Sequence, residues 1–320
     1  MIFIDETREI PHSLTVYQRL LQRVPISHPL YLEIEARINI IRAGFNGETY
    51  VDHFLKNIEF PCDYIILKDI NLKTSPRSKT QIDTLIITSK FICILEIKAI
   101  KGKIAFQQNP AQLIREVDGI HTPLKCPEEQ LKRHERKLAF WMKSNNIDLP
   151  IRSFIVLAFS KTLVSLPPKY SKIIMGCDIS SYIEDLFELP NIISHTPFTQ
   201  LVKKVRQAQT SFSPVPLVNI IPIEDSIIKK GLICPKCSRK IGNQYKCPTC
   251  KISRRVIIAN ALEDWFYLMK NTITNNECIN FLGLKDKTSA AHILSRSKLF
   301  PKNNGRYRYY QLTDDETPPT

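Results

Sequence analysis

The two apolar stretches Leu85–Ile87 and Phe91–Leu95 constrain this chain most, because the hairpin they form also carries three charged side chains. Both stretches are almost continuously apolar, which predicts β-strands covered on both faces. A charged side chain in such a place is costly unless it is paired or holds a metal ion. One explanation is therefore needed for all three charged residues, which are Asp83, Glu96 and Lys98.

The turn between the two strands predicts where each charge lies. A symmetric turn centred on Ser89–Lys90 makes Asp83 the partner of Glu96, and directly opposed residues point to the same face. Lys98 joins that face because side chains repeat every two residues along a strand. Two alternatives stay open: a one-residue bulge would separate the carboxylates, and the charges could simply be solvated or paired. In the predicted register, the three charges converge as in a divalent-metal site with a lysine beside it.

Length and composition fit a globular protein with two domains, or with one domain and small modules. Of the 320 residues, 43% are hydrophobic and 24% are charged, which argues against extended disorder. No apolar run reaches the length of a membrane span, and the first residues lack the pattern of a secretion signal. The sequence predicts a cytoplasmic protein with no membrane partner, whose nine cysteines are thiols or metal ligands.

The positive charge is concentrated near the C-terminal end. Residues 229–311 contain 17 Lys and Arg against 4 Asp and Glu, whereas residues 1–228 contain 28 against 24. A basic module attached to a nearly neutral body favours a polyanionic partner, most simply nucleic acid. The alternative is a basic surface that serves only solubility.

Residues 29–58 are predicted to form a helix that is broken or kinked around Gly44–Gly47. After the kink, Glu48, Val51 and Leu55 fall on one helical face. The two apolar residues direct this face inward, so Glu48 is expected to point inward as well. The alternative is an acidic residue that favours the start of a helix through the helix dipole.

Strands and helices alternate after this helix, which predicts a mixed α/β fold. A basic loop is expected at Lys73–Lys79, and a polar stretch from Lys101 to Lys125 leads into the next helix. That helix is predicted from Pro127 to about Asn145, with Gln130 and His134 on one face. The other predicted strands and helices cover residues 64–70, 151–159, 171–175, 179–187 and 199–210.

Four cysteines form two Cys-x-x-Cys pairs separated by nine residues. This spacing supplies four thiolates to one tetrahedral zinc ion. The alternative is redox chemistry, which normally uses one such pair beside a βαβ unit. Four cysteine ligands leave no open coordination position, so the predicted zinc ion is structural. The predicted ligands are Cys234, Cys237, Cys247 and Cys250.

Residues 257–312 are predicted to contain three helices and a hairpin. Thr274–Glu277 has the capping-box pattern of a helix start, Gly283 is placed to end that helix, and Asn304–Gly305 is a typical hairpin turn. This order is typical of a winged helix-turn-helix, whose third helix enters the major groove. The alternative is a helical dimerisation domain of the same plan. The predicted nucleic-acid contacts are Lys287, Ser289, His292, Arg296, Arg306 and Arg308.

The helix and the hairpin resemble the nuclease-related domain (NERD) family over about residues 35–145. The family pattern is a G-x-x-G-E helix followed by Q-I-D, E-x-K and a glycine. The chain departs from it at Cys126–Pro127, where Asn-Pro is more usual, and at Thr84, where His is more usual. The matching positions are Gly44, Gly47, Glu48, Gln81–Asp83, Glu96–Lys98 and Gly102.

The resemblance implies a PD-(D/E)xK restriction-endonuclease-like fold, a mixed sheet flanked by helices, with Mg²⁺ or Mn²⁺ at its site. It implies that Asp83 and Glu96 bind this ion and that Lys98 is catalytic. Glu48 would be the acid supplied by a helix, and Gln130 the later polar residue of the site. Members of the family are also found with zinc ribbons or DNA-binding modules, as the basic C-terminal region predicts here.

The sequence therefore predicts a metal-dependent nuclease whose expected substrate is DNA. Two rivals stay open: a DNA-binding regulator or DNA-end recognition protein that does not cleave, and a scaffold whose zinc module binds protein. The predicted layout is an N-terminal extension (1–28), a nuclease-related domain (29–211), a linker (212–229), a zinc ribbon (230–256), a winged-helix-like domain (257–312) and an acidic tail (313–320).

Overall fold

A computed structural model of the chain describes residues 3–210, 215–221, 223–304 and 307–312. The α-helices in these residues are α1 (His12–Arg23), α2 (Pro29–Leu55), α3 (Pro127–Ser144), α4 (Ile179–Asp185), α5 (His195–Ala208), α6 (Arg254–Leu268), α7 (Asn275–Leu282) and α8 (Lys287–Ser295). The strands are β1 (Phe3–Asp5), β2 (Tyr64–Ser75), β3 (Ser78–Thr88), β4 (Ile92–Lys98), β5 (Gly102–Gln108), β6 (Ala111–Val117), β7 (Ile120–Lys125), β8 (Ile151–Leu157), β9 (Thr162–Leu166), β10 (Lys172–Met175), β11 (Leu232–Ile233), β12 (Lys240–Ile241), β13 (Thr272–Thr274), β14 (Phe300–Asn304) and β15 (Tyr307–Gln311).

The chain divides into two compact units, which are described separately. The first unit contains Met1–Glu9 and Arg42–Phe212, and the second contains Ile10–Ile41 and Ser213–Thr320. This division differs from the predicted layout because residues 1–28 do not act as one extension. The strand β1 pairs with β2 in the first unit, whereas α1 packs in the second. No helix in the described ranges is both long and apolar enough to cross a membrane.

A mixed six-stranded sheet, in the order β1-β2-β3-β4-β8-β10, forms the centre of the first unit. The central strand β4 is buried on both faces, as its continuous apolar sequence predicts. Ile92 and Ile94 pack into a core that includes residues of α3 and α5. Cys93 and Leu95 pack on the other face, against residues of α2 and α4. The predicted fold class, a mixed α/β fold with helices flanking the sheet, is confirmed.

The predicted hairpin register is also confirmed. Thr84 pairs with Leu95 in the antiparallel ladder of β3 and β4, and one further step along this register puts Asp83 opposite Glu96. The turn closes with a backbone hydrogen bond of 2.9 Å from the N–H of Thr88 to the carbonyl of Phe91. The bulge that would have separated the two carboxylates is absent from these described strands.

The predicted kink in the long helix is wrong. The helix α2 continues through both of its glycines from Pro29 to Leu55. Gly47 instead allows a close approach, because a Cβ atom there would lie 2.6 Å from the Cβ of Ala99 and 3.0 Å from the Cβ of Ala158. The glycine is therefore required by packing of the helix onto the ends of the strands, which brings the neighbouring Glu48 to the sheet.

Replacing Gly47 by alanine is expected to destabilise the protein by about 1–3 kcal/mol, because the new methyl group meets two side chains that cannot rotate away. Gly44 provides the matched control, since a Cβ at that position meets nothing within 4 Å. Gly44→Ala is expected to stabilise the helix by about 0.5–1 kcal/mol. Chemical denaturation of the two variants checks the prediction, and equal stabilisation of both would contradict it.

Two segments without predicted strands form regular structure. The basic segment Lys73–Lys79 is not a loop, because β2 and β3 extend into it and pair as an antiparallel hairpin. The polar stretch Lys101–Lys125 contains β5, β6 and β7, which join β9 in a second sheet of order β7-β6-β5-β9. Both segments are mostly polar because much of their surface stays exposed, and the apolar alternation in the second is limited to the buried Ile104 and Phe106 of β5.

The second unit contains the order of elements predicted for the C-terminal region. The short strands β11 and β12 pair on either side of the first cysteine pair, and α6, α7 and α8 precede the hairpin of β14 and β15. The capping box is present, since the Thr274 hydroxyl accepts from the N–H of Glu277 and the Glu277 carboxylate accepts from the N–H of Thr274. Gly283 ends α7 with a φ of 66°.

A buried ion pair explains why α1 belongs to the second unit. Arg23 of α1 is fully buried, and its Nε donates to Oδ2 of Asp264 in α6 at 2.7 Å. The same guanidinium donates to the carbonyl oxygen of Lys229 at 2.9 Å. Arg19, one turn earlier, contacts the other oxygen of Asp264 at 2.7 Å. These contacts join α1 to α6 and to the segment that leads into the first cysteine pair.

Candidate functional site

The predicted acidic and basic residues of β3 and β4 come together at one end of the main sheet. Oδ2 of Asp83 accepts a hydrogen bond of 2.9 Å from the N–H of Ile97. The ammonium of Lys98 forms an ion pair with Oε1 of Glu96, and lies 3.4 Å from Oε1 of Gln130 in α3. The two carboxylates and the lysine therefore meet because of the strand register, and α3 adds Gln130.

The second oxygen of Glu96 faces α3. Glu96 is only 1% exposed, and its Oε2 lies 3.3 Å from Nε2 of His134, but neither atom makes a hydrogen bond. The other ring nitrogen of His134 is hydrogen-bonded to the Thr80 hydroxyl at 2.6 Å. His134 was not predicted as a site residue, although it lies one helical turn after Gln130. That spacing is the sequence signal that could have identified it.

Glu48 reaches the same region from α2, as predicted, but its carboxylate is already paired. Oε2 of Glu48 lies 3.0 Å from Nη1 of Arg8. The Arg8 side chain is only 2% exposed, and its Nε donates to Oδ2 of Asp52 at 2.9 Å. Arg8 was missed because it lies in the segment predicted to be an extension. It follows the short strand β1, whose pairing with β2 carries it to the site.

Arg8 also binds the strands of the sheet. Its Nη2 donates to the Thr84 hydroxyl at 2.9 Å and to the carbonyl oxygen of Asp83 at 3.1 Å. Its Nη1 lies 3.0 Å from Oδ2 of Asp69, a residue whose φ of 51° is in the left-handed region. Asp tolerates that conformation better than most residues, although it is still strained. The strain and the buried arginine mark this end of the sheet as a site.

Burial and neighbouring negative charge raise the pKa values of two carboxyl groups in this region. Burial and the negative charge of Asp83 raise the pKa of Glu48 to about 8, against the opposing effect of Arg8. Burial and the charge of Glu96 raise the pKa of Asp83 to about 6, against the opposing effect of Lys98. Burial opposes the charge of Lys98, yet Glu96 and Asp83 hold the pKa of its ammonium above its ordinary value.

The chemistry of these donors fits a divalent cation. Hard carboxylate oxygens are the ligands that Mg²⁺ and Mn²⁺ prefer. Oε2 of Glu96 is buried without a hydrogen bond, and burial together with repulsion from Glu96 raises the pKa of Asp83. An added cation would satisfy the oxygen and relieve the repulsion. Asp83 and Glu96 are therefore the residues that could hold it.

The four predicted cysteine ligands come together in the second unit. Their sulfur atoms all lie within 4.8 Å of one another, and Sγ of Cys237 is 3.6 Å from Sγ of Cys247. The N–H of Cys250 donates to the sulfur of Cys247 and helps to lower the pKa of that thiol to about 6. The group could hold one metal ion, and four thiolates at this spacing fit tetrahedral zinc.

Three of the predicted nucleic-acid contacts at α8 share one helical face. Ser289, His292 and Arg296 follow one another at helical spacing, and the last two are exposed. Lys287, the first residue of α8, is also exposed. Arg308 is exposed on β15, whereas the predicted contact at Arg306 lies outside the described residues.

A cleft of about 410 Å³ lies beside α8. Arg254 lines it from the start of α6 and donates to the carbonyl oxygens of Gly242 and Gln244, in the loop between the cysteine pairs. Tyr245 of the same loop is 90% exposed, and sequence reasoning missed both residues. None of the lining residues is acidic. They are Asn243, Arg254, Ile258, Gly283, Leu284, Lys285, Thr288, Ser289, His292 and Ile293.

Comparison with known protein families matches residues 43–158 to one family model, described as a nuclease-related domain. The matched segment contains the five residues gathered at the end of the main sheet, and it confirms the resemblance recognised in the sequence. They are Glu48, Asp83, Glu96, Lys98 and Gln130. Comparisons with curated proteins and with solved structures returned no match.

Proposed function

We propose that this chain, which carries a nuclease-related domain at residues 43–158, is a metal-dependent nuclease that hydrolyses phosphodiester bonds, with DNA as its expected substrate. One observation carries the proposal. Asp83 and Glu96 lie directly beside the Thr84–Leu95 pair of the antiparallel ladder, the N–H of Ile97 donates to Asp83, and Lys98 contacts Glu96. This arrangement of one buried acid, one half-buried acid and a lysine suits phosphoryl transfer, which is catalysed mainly by positioning and by charge stabilisation.

The roles of the residues follow from their contacts. Asp83 and Glu96, with the Ile97 carbonyl, would hold Mg²⁺ or Mn²⁺, which activates the scissile phosphate and a bound water as a Lewis acid. The Lys98 ammonium stabilises the negative charge that develops on the phosphoryl oxygens, and Gln130 orients it. A hydrogen-bonded His134 faces Glu96 and limits the rotation of that carboxylate.

The second unit would hold the nucleic acid. Four cysteines bind structural zinc, and α6, α7, α8 and the following hairpin act as a winged-helix-like module. The cleft beside α8 carries basic and hydroxyl groups that suit backbone phosphates. The exposed ring of Tyr245 offers a face on which a base can stack. The zinc ribbon and α8 thus contribute to one interface in this unit.

A substrate panel tests the nuclease proposal. The full chain is mixed with labelled single-stranded and double-stranded DNA and RNA, with Mg²⁺, with Mn²⁺ or with excess EDTA. We expect cleavage of DNA that requires the divalent ion, because the ion would polarise the scissile phosphate and lower the pKa of a bound water, which the side chains alone do not do. Absence of cleavage on every substrate with either ion would contradict the proposal and favour a DNA-binding protein that does not cleave.

Substitution on α8 tests the proposed interface. Replacing Lys287 and Arg296 together by glutamate is expected to weaken DNA binding by about 10²-fold and to reduce its salt dependence, because two phosphate contacts become repulsive. Replacing the exposed Lys143 and Lys161 of the nuclease unit by glutamate provides a control with the same change of charge. Fluorescence anisotropy at several salt concentrations measures both effects, and equal weakening by the two pairs would contradict the assignment.

Truncation near residue 228 is a poorer test of the same interface. The core of the second unit includes Leu14, Leu20, Ile34 and Ile38, which pack with Leu217 and Leu268. Removing the C-terminal part would expose the apolar side chains that remain. A loss of binding after truncation would therefore not distinguish an interface from a damaged fold.

A further inference from the structure

The guanidinium of Arg8 is surrounded by oxygen atoms of the nuclease unit. Its partners come from α2 and from both strands of the β2–β3 hairpin, and they include three carboxylates. The side chain is 2% exposed, so water supplies little of this environment. The five partner residues are Glu48, Asp52, Asp69, Asp83 through its carbonyl, and Thr84 through its hydroxyl.

An environment of oxygens with excess negative charge is the one that hard divalent cations prefer. The three carboxylates around Arg8 would repel one another strongly if no positive group lay among them. Lys68 adds a second positive charge, but it lies 3.8 Å from Asp52 and makes its closer contact, at 2.7 Å, with Asp5. Arg8 is therefore the positive group nearest to Glu48.

The planar guanidinium also sets the spacing of these acids. Its Nη1 contacts Glu48 and Asp69, whereas its Nε contacts Asp52, so the guanidinium lies between Asp52 and the other two carboxylates. Among the described residues, the four cysteines form the one group of three or more metal-binding side chains whose ligand atoms lie within 4.8 Å of one another. The acids around Arg8 are thus spaced for an arginine rather than gathered for an ion.

We infer that Arg8 takes the place of a second divalent cation, so that the site binds one divalent ion, at Asp83 and Glu96, and Glu48 is not a metal ligand. This inference rests on the proposed nuclease function. Arg8 then acts as a positioning residue, because it holds Glu48 and also fixes the backbone of Asp83. The residues before the family-matched segment are part of the same site.

Counting bound ions tests the inference without relying on cleavage. The full zinc-loaded chain is titrated with Mn²⁺, and free Mn²⁺ is measured by electron paramagnetic resonance. We expect one Mn²⁺ per wild-type chain, at least about tenfold weaker binding in Asp83→Asn, and a change below about fivefold in Glu48→Gln. Two Mn²⁺ ions in the wild type, or loss of the ion in Glu48→Gln, would overturn the inference.

Variants of Arg8 give an independent measurement. Arg8→Ser removes the charge and makes room, so a second, weaker Mn²⁺ is expected, whereas Arg8→Lys keeps the charge and the count of one. A folded Arg8→Ser chain that still binds one Mn²⁺ would overturn the inference. If Arg8→Ser does not fold, the wild-type and Glu48→Gln counts decide. Failure of the wild type to bind any Mn²⁺ would instead contradict the proposed function itself.

Discussion

Replacing Lys98 by methionine is expected to lower the rate of Mg²⁺-dependent cleavage by about 10²–10³-fold. Removing one hydrogen-bond donor that stabilises developing negative charge in an enzyme has an effect of about this size. The ammonium pairs with Glu96 and supplies the positive charge nearest to that buried carboxylate. Methionine keeps an unbranched side chain of similar length, so the change removes mainly the charge. Single-turnover cleavage assays measure the effect on the chemical step.

Two controls separate catalysis from binding and from folding. Lys103→Met removes an exposed lysine of β5, which pairs with Glu116 at 3.4 Å, and is expected to leave the rate unchanged. DNA affinity of Lys98→Met should stay within about threefold of wild type, because the proposed phosphate contacts on the second unit are left intact. Thermal unfolding reports whether the loss of this ion pair has damaged the fold. A rate close to wild type in a folded Lys98→Met chain would exclude the catalytic role.

Loss of the zinc ion is expected to unfold the cysteine-containing segment and to weaken DNA binding by at least about tenfold. The strands β11 and β12 contain two residues each, which is too short for independent stability. Structural zinc contributes about 10–16 kcal/mol of apparent binding free energy in small zinc modules. Without it, the loop that Arg254 supports at the cleft loses its anchor.

Cys247→Ser tests the zinc prediction in the intact chain. Metal analysis should find one zinc ion per wild-type chain and less in the variant, and anisotropy should show the weaker DNA binding. Cys177→Ser is the matched control, because Cys177 is an exposed free thiol of the first unit. A wild-type chain that carries no zinc, or a Cys247→Ser chain with full affinity, would contradict the prediction.

The register of the hairpin could be predicted because the position of the turn determines which residues of the two strands face each other. Ser89–Lys90 is nevertheless a poor two-residue turn by composition. The structure supplies the reason that it works here: the hydroxyl of Thr88 accepts hydrogen bonds from the N–H groups of Lys90 at 3.1 Å and of Phe91 at 2.9 Å. The Thr88 side chain thus stabilises a turn that lacks the usual glycine or asparagine.

Arg8 could not be predicted as a site residue because no local pattern marks it. Its partners lie between 40 and 76 residues away along the chain. Periodicity relates residues within one element, and a turn relates residues within one hairpin. Arg8 reaches the site through a three-residue parallel strand, and parallel pairing leaves no signal in the sequence around it. The matching family pattern begins later, at residue 43.

The uninterrupted helix α2 and the unpredicted strands depend on features that local sequence patterns do not report. The sequence suggests that Gly47 interrupts the helix, because glycine is flexible. Its role instead depends on Ala99 and Ala158, which lie close to it from other parts of the chain. In β7, Ile120 is 69% exposed, so this strand buries little apolar surface and its sequence stays polar. Helix propensity and alternation carry no information about such distant or exposed partners.

The parallel pairing of β1 with β2 has a consequence for the order in which the nuclease unit folds. The hairpin of β2 and β3 can close from local contacts, which places Asp69 and Asp83 near each other early. The neutralising arginine arrives only when the distant β1 docks. Until then, the carboxylates that surround Arg8 in the native unit repel one another without its charge, so docking of β1 is expected to stabilise this end of the sheet.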